Sequence, residues 1–229
     1  MKYSAIFTVA VFLLLCSCST MQPRARFSVN PRSFSYPAGS ASAQSGKLLS
    51  SDVQKQDITV SYYPDDDAVC LQYRVDFITY YQFWSRPGRE LYKTALERYK
   101  IDYEQRNLNT KSGRKERLAY GTVRGFLGWQ AMQLMGFLSD TPTGPVEIDL
   151  GYSFQGKLKN KTPYFTITQN EAEYQNKAEG GRKFTSVKVM LYYTRAQAEE
   201  LAALFNQEYL LGLSAPKPGV SGSADVDEY

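Results

Sequence analysis

Alternating apolar and polar positions dominate the middle of this chain. Ile58, Val60 and Tyr62 alternate with Thr59, Ser61 and Tyr63, which predicts a strand starting near Asp57. Pro64-Asp65-Asp66-Asp67 is a turn signal: proline presets one backbone angle, and aspartate side chains bond back to nearby backbone. The alternation restarts as Val69, Leu71, Tyr73, Val75, Phe77, Thr79, Tyr81 and Phe83, with Cys70, Gln72, Arg74 and Asp76 facing the other way. Taken as one long strand, this run forms a hairpin with the first. The period changes at Pro87-Gly88. From Arg89 to about Asn107, the residues Leu91, Tyr92, Ala95, Leu96, Tyr99 and Tyr103 fall on one stripe of a helix, and charged side chains fill the rest.

Beyond the 107–113 turn, Arg117 to Leu127 predicts a strand whose interior is thinned by Gly121 and Gly125. Those glycines do not form a phosphate loop, since no GxxxxGK[ST] arrangement accompanies them. Leu127–Leu138 fits either a short helix or a hydrophobic connection. Val146, Ile148, Leu150, Tyr152 and Phe154 predict a strand, with Tyr164–Gln169 as its partner and Phe184–Tyr193 as the last strand. Thr194 followed by Gln197 reads as a capping box, opening a helix through Ala198, Leu201, Ala202, Leu204 and Phe205 that stops before Gly212. The expected fold class is α+β: a mainly antiparallel sheet with two principal helices packed on one face. Short links between the later strands favour hairpins over parallel crossovers.

The ends of the chain behave differently. Ala5 to Leu15 is an apolar run after Lys2, too short to span a bilayer stably but suited to an export signal. It leads into Leu15-Cys16-Ser17-Cys18, which resembles the lipobox of bacterial lipoproteins: a leucine three before the cysteine, a small residue just before it, then the cysteine that receives lipid. Cys18 fits that pattern, whereas Cys16 has Leu15 where a small residue is wanted. The resemblance implies a signal peptide over 1–17 and lipid attachment at Cys18. Ser19 stands where familiar enterobacterial lipoproteins carry an aspartate for inner-membrane retention, so the resemblance points to the outer membrane. Residues 18–56, rich in proline, serine and glycine, read as a tether spanning roughly 35 Å relaxed and about 120 Å stretched. Residues 57–213 then form one globular domain and 214–229 a loose tail.

Composition narrows the chemistry. With 27 basic and 23 acidic side chains the net charge is +4, too even for a nucleic-acid partner. Lys111, Arg114, Lys115 and Arg117 cluster, but a polar turn facing water accounts for them. After removal of the signal and lipidation of Cys18, Cys70 has no partner for a disulfide and reads as a buried small hydrophobe. The chain has no histidine, which removes Ser-His-Asp and Cys-His catalysis and histidine zinc sites. No cofactor and no metal site is expected. Asp65-Asp66-Asp67 lacks the rest of a calcium loop. Glu147 and Asp149 share one strand face, and together with Asp76 they are the acids a glycan hydrolase could use, given a cleft.

Aromatic residues are abundant: 18 tyrosines, 12 phenylalanines and two tryptophans. In Phe77–Trp84, Phe77, Tyr81 and Phe83 share one parity and Tyr80 and Trp84 the other. If the first row joins Val75 in the core, Tyr80 and Trp84 form a partner-binding surface. Tyr192 and Tyr193 pose the same choice on another strand. The expectation is a membrane-anchored envelope lipoprotein that binds a macromolecule, protein or glycan, or supports an assembly. The alternatives are a carboxylate-dependent hydrolase acting on a glycan and a periplasmic small-ligand binder.

Overall fold

A computed structural model describes residues 29, 33–46, 53–109, 114–131, 142–154, 163–176 and 182–215. The signal peptide 1–17, Cys16, Cys18, the 132–138 part of the Leu127–Leu138 stretch, Lys111 and tail residues 216–229 lie outside them. In chain order the elements are β1 (Tyr36–Gly46), β2 (Val53–Tyr63), β3 (Ala68–Val75), β4 (Ile78–Ser85), α1 (Arg86–Glu104), α2 (Arg114–Arg117), β5 (Gly121–Ala131) and β6 (Thr143–Phe154). They continue with β7 (Pro163–Gln169), β8 (Glu173–Asn176), β9 (Arg182–Thr185), β10 (Val189–Tyr193), α3 (Arg195–Leu204) and α4 (Gln207–Ser214).

The fold is α+β and its main sheet is antiparallel, but the sheet closes on itself. Eight strands form a barrel in the order β1-β10-β7-β6-β5-β4-β3-β2, and β8 and β9 make a separate hairpin between β7 and β10. A barrel has an inside and a rim in place of two open faces. Both helical excursions, β4–α1–α2–β5 and β10–α3–α4, leave the barrel from the same rim. There α1 and α3 touch, with the Tyr92 hydroxyl donating to the Ala198 carbonyl at 2.9 Å and Lys100 meeting Glu199 at 3.1 Å.

Two expectations from the pattern are corrected here. Residues 36–46, assigned to the tether, are β1 and pair with β2 from Tyr36↔Tyr62 to Gly46↔Val53. Their inward side chains are Ala38, Ala41, Ala43 and Ser45, all buried. Such small residues carry little hydrophobic signal, although they leave room for neighbouring elements. The long strand from Val69 to Phe83 is two strands, folded at Asp76-Phe77 with Val75 opposite Ile78. Asp76 takes a left-handed backbone conformation, φ 52°, which aspartate tolerates better than most side chains. Cross-strand partners share a face, so this turn switches the inward parity from odd in β3 to even in β4.

Inward residues include Leu71, Tyr73, Val75, Tyr80, Trp84, Val123, Leu127, Ile148, Leu150, Phe165, Ile167 and Leu191, all in one buried core. The Tyr73 hydroxyl donates to Gln169 Oε1, joining β3 and β7 from opposite sides of the ring. Outward positions on β2, β3, β5 and β6 carry Lys55, Asp57, Gln72, Arg74, Thr122, Arg124 and Glu147, all exposed. This is the reverse of a barrel whose outer wall faces lipid. No helix among the described residues is long and apolar enough to cross a membrane.

Helix α1 begins where Ser85 caps it, accepting from the Gly88 amide, with Pro87 in the first turn. It buries Tyr92, Ala95, Leu96 and Tyr99 of the expected stripe, while Leu91 is 52% exposed. Tyr92 packs on Trp84, Phe165 and Phe205 with ring centroids 5.9, 5.5 and 5.1 Å away, so aromatic rings from sheet and helices fill the mouth. The capping box at Thr194 and Gln197 is present as expected, but that helix is broken after Leu204 and restarts at Asn206, whose side chain caps α4. The expected last strand is likewise split: Ser186 leaves the sheet and bonds both backbone and side chain to Ala172.

Two measurements test this packing. A Cβ at Gly151 would meet the Glu116 carbonyl oxygen at 2.1 Å, whereas one at Gly46 meets nothing within 4 Å. Gly151→Ala is therefore expected to cost about 1–3 kcal/mol in chemical denaturation and Gly46→Ala less than about 0.5; equal effects would refute the close approach of α2 to β6. Burial also raises the tyrosine pKa values, to about 12 for Tyr80, and raises Tyr73, Tyr92 and Tyr193 as well. These rings ionise more easily once unfolded, so the stability they confer is full below pH 10 and drains as pH rises towards 12. An ultraviolet titration should show these tyrosines ionising together with loss of the circular dichroism signal. Complete ionisation near pH 10 of a still-folded protein would contradict it.

Candidate functional site

The barrel closes at a narrow seam. Among the described residues β1 and β10 pair only at Gln44↔Tyr192 and Ser45↔Leu191. Beyond Tyr193 the chain leaves the sheet, and α3 takes its place along β1. Gln197 Nε2 donates to Ser42 Oγ at 3.1 Å, and the Tyr209 hydroxyl of α4 donates to the Ala38 carbonyl at 2.7 Å. Gly39, at a bulge with φ 134°, lets Leu204 come within 3.0 Å of where a Cβ would stand. The wall of the barrel is thus part strand and part helix here.

Where strand gives way to helix, a depression of about 320 Å³ is lined by Ala43, Gln44, Val53, Gln54, Lys55 and Gln197. Its volume is at the lower end for small-molecule sites. Gln197 is held on both sides, its Oε1 accepting from the Thr194 amide and its Nε2 bound to Ser42. Lys55 pairs with Asp57 at 3.3 Å, both well exposed. Tyr192 points outward beside Gln44 and packs edge-on against Tyr164, with centroids 6.4 Å apart and planes at 82°. Both rings are half-buried. Gln44, Lys55 and Tyr192 therefore share the outward face here, while Gln54, opposite Ser45, takes the inward parity.

The residues singled out in the sequence lie elsewhere. Tyr80 and Trp84 are both 0% exposed and point into the barrel, so they form no partner-binding surface. The two-residue turn at Asp76-Phe77 reverses the parity on which that choice rested. Trp84 Nε1 donates to Gln82 Oε1 at 2.9 Å, while the Tyr80 hydroxyl, the Tyr193 hydroxyl and Gln82 Nε2 are buried without hydrogen-bond partners among the described residues. Of the pair Tyr192 and Tyr193, the first faces outward and the second is buried.

The three acids singled out in the sequence lie away from the seam depression. Asp149 is 8% exposed and its two oxygens accept from Thr122 Oγ1 and Asn170 Nδ2, each at 2.9 Å. Glu147 is exposed on the same strand, and Asp76 sits in the β3–β4 turn, with β5 between β4 and β6. None of the three lines the seam depression. Asp67 forms an ion pair with Arg89 at 2.7 Å, and its carboxylate also accepts from Gln207 and Tyr62. Among the described residues no group of histidine, cysteine and carboxylate side chains could hold a metal.

Cys70 is buried, and burial raises its thiol pKa. It lies on the outer wall of β3 in a second apolar cluster with Val29, Tyr63, Ala68 and Phe83, edged by Tyr81 and Phe126. The row expected in the core thus partly faces outward, and Val29 of the N-terminal segment packs against it. The seam residues Gln44, Gln54 and Lys55 escaped sequence reasoning because they fall in the presumed tether. The one signal was the weak alternation of Ala41, Ala43 and Ser45 with Ser42 and Gln44.

A family model described as "Uncharacterised Treponema protein" matches residues 34–212, more than half of the chain. No curated protein and no solved structure matches it.

Substitution separates a core from a surface role for the tyrosine and tryptophan. Trp84→Ala is expected to cost about 3–5 kcal/mol of stability, and Tyr80→Phe, which removes a hydroxyl without a partner, to be neutral or slightly stabilising. Denaturant midpoints unchanged by Trp84→Ala would return that side chain to the surface.

Proposed function

We propose that this chain, which belongs to the uncharacterised Treponema protein family, is a lipid-anchored envelope protein whose barrel binds an envelope macromolecule at the seam. The anchor rests on the lipobox resemblance at Cys18, and Ser19 favours the outer membrane. The observation that carries the binding reading is the seam patch, where half-buried Tyr192, edge-on to Tyr164, lies opposite Gln44, one of the residues lining the depression. Aromatic rings with polar edges suit such contacts because they bury area while keeping a hydrogen-bonding group.

The N-terminal segment sharpens how the domain is held. Val29 is 5% exposed and packs on the β2–β4 wall, so only the chain between Cys18 and Val29 separates lipid from barrel. At about 3.5 Å per residue that length reaches at most about 40 Å, a third of what a tether to residue 56 allows. The barrel works close to the membrane surface.

The hydrolase alternative draws less support, since none of Asp76, Glu147 and Asp149 lines the seam depression. Small-ligand carriage finds a weaker foothold, because aromatic side chains occupy the barrel interior.

Two variants test the proposal. Cys18→Ser should move the protein from the detergent-rich to the aqueous phase in detergent partition of whole cells; unchanged partition would refute the anchor. Lipidated wild type drawn from envelopes should retain one specific partner that Gln44→Ala/Tyr192→Ala loses. Equal recovery by the double variant would exclude the seam.

A further inference from the structure

We infer that the outer wall of β2–β4 is a docking surface for the chain's own N-terminal segment, and that Val29 is a latch on it that opens while the barrel stays folded. Its use as a control on reach rests on the lipid anchor proposed above. Cys70 lies opposite Phe83, and Phe83 opposite Phe126, so a row of apolar side chains crosses the outside of β3, β4 and β5. Tyr63 and Ala68 flank the row towards the helical rim and Tyr81 flanks it on the other side. The Tyr63 and Phe126 rings pack on Phe83, with centroids 5.4 and 6.5 Å away. Lower on the same strands the outer wall carries exposed Lys55, Asp57, Gln72 and Arg74. Apolar side chains that point away from a core are buried only under a cover, and Ala68, Cys70 and Phe83 are at most 3% exposed. Val29, 5% exposed, is the member of this cluster that comes from outside the barrel strands. Ser35 hydrogen-bonds the Tyr63 side chain, so the same segment meets the patch a second time.

The two attachments differ in kind from those of the barrel. Val29 and Ser35 belong to no strand or helix, and the cluster holding Val29 is separate from the barrel core. One valine side chain and one hydrogen bond work against the ordering entropy of the chain that carries them. Eight paired strands and one continuous core hold the rest. An element held so lightly opens locally at far lower cost than global unfolding. Opening has two consequences. Docked, the chain from Cys18 to Val29 spans at most about 40 Å; released as far as Tyr36, where β1 begins, it spans about 60 Å. Opening also uncovers the Cys70 side chain, which makes its thiol a reporter of the latch. A second copy or a foreign partner would have to displace Val29 before it could use this wall.

The test uses the full chain in detergent micelles and alkylation by N-ethylmaleimide, read at the Cys70 peptide by mass spectrometry. Wild type should react slowly, at a rate that rises with urea less steeply than global unfolding does. Val29→Asp should react about tenfold faster and Val29→Ala about threefold faster, with the urea midpoint for loss of circular dichroism nearly unchanged. Val53→Asp, at an exposed position of β2, should react as wild type does. Wild-type rates in both Val29 variants, or rates that rise only as the midpoint falls, would overturn the latch. The second result would make Val29 part of the barrel's own cooperative unit. Reach is read separately, in vesicles carrying a dansyl lipid, from energy transfer out of Trp84 and Trp129. Transfer should fall in Val29→Asp; equal transfer with faster alkylation would refute the control of reach. If wild type does not associate with the vesicles, the anchor reading fails, and the latch is still decided at Cys70.

Discussion

The barrel is closed at its seam by very little strand pairing, and much of the rim compensates. With Gln44↔Tyr192 and Ser45↔Leu191 as the described pairs, two strands alone would hold this joint weakly. Helix α3 continues the wall, α1 backs it, and a buried arginine ties the arrangement together. Arg89 is 0% exposed; it donates to the carboxylate and the carbonyl of Asp67, to the Trp84 carbonyl and to Gln207 Oε1. One side chain thereby fixes the β2–β3 turn, the end of β4 and the start of α4. A buried charge is costly unless its hydrogen bonds are met, and removing one partner of such a pair costs more than the pair itself contributes. The result is a specific geometry at the rim more than added stability.

That geometry creates the seam patch. Because β10 ends early, the first turn of α3 lands against β1 and holds Gln197 beside Ser42. A longer β10 would have covered the hollow with backbone pairing. The small inward residues of β1 follow from the same arrangement, since Ala38, Ala41 and Ala43 leave room for the helices behind them. A weakly apolar, poorly signalled strand and a helix that replaces part of a strand are two consequences of one packing choice.

Much of the architecture was legible in local patterns. The capping box at Thr194, the helix after Ser85 and the strands around Val60, Ile148 and Ile167 follow from periodicity and cap chemistry that act within a few residues. Parity across Asp76-Phe77 was not legible, because a two-residue turn inside an unbroken alternation leaves no apolar or proline signal. It reversed the roles of Tyr80 and Trp84 on one side and of Tyr81 and Phe83 on the other. The seam was illegible for a different reason: Gln44, Gln54, Tyr164, Tyr192 and Gln197 come from four separate segments, and nothing local links them.

By itself, the order of residues determined a mainly antiparallel α+β chain. It also ruled out histidine chemistry. Those properties rest on local periodicity, capping and composition. Only the tertiary structure decided that the sheet closes, which tyrosines face inward, and that Val29 packs on the outer wall of the barrel. Each of those outcomes depends on which distant strands and helices share a boundary, and that is settled by closing and filling one core.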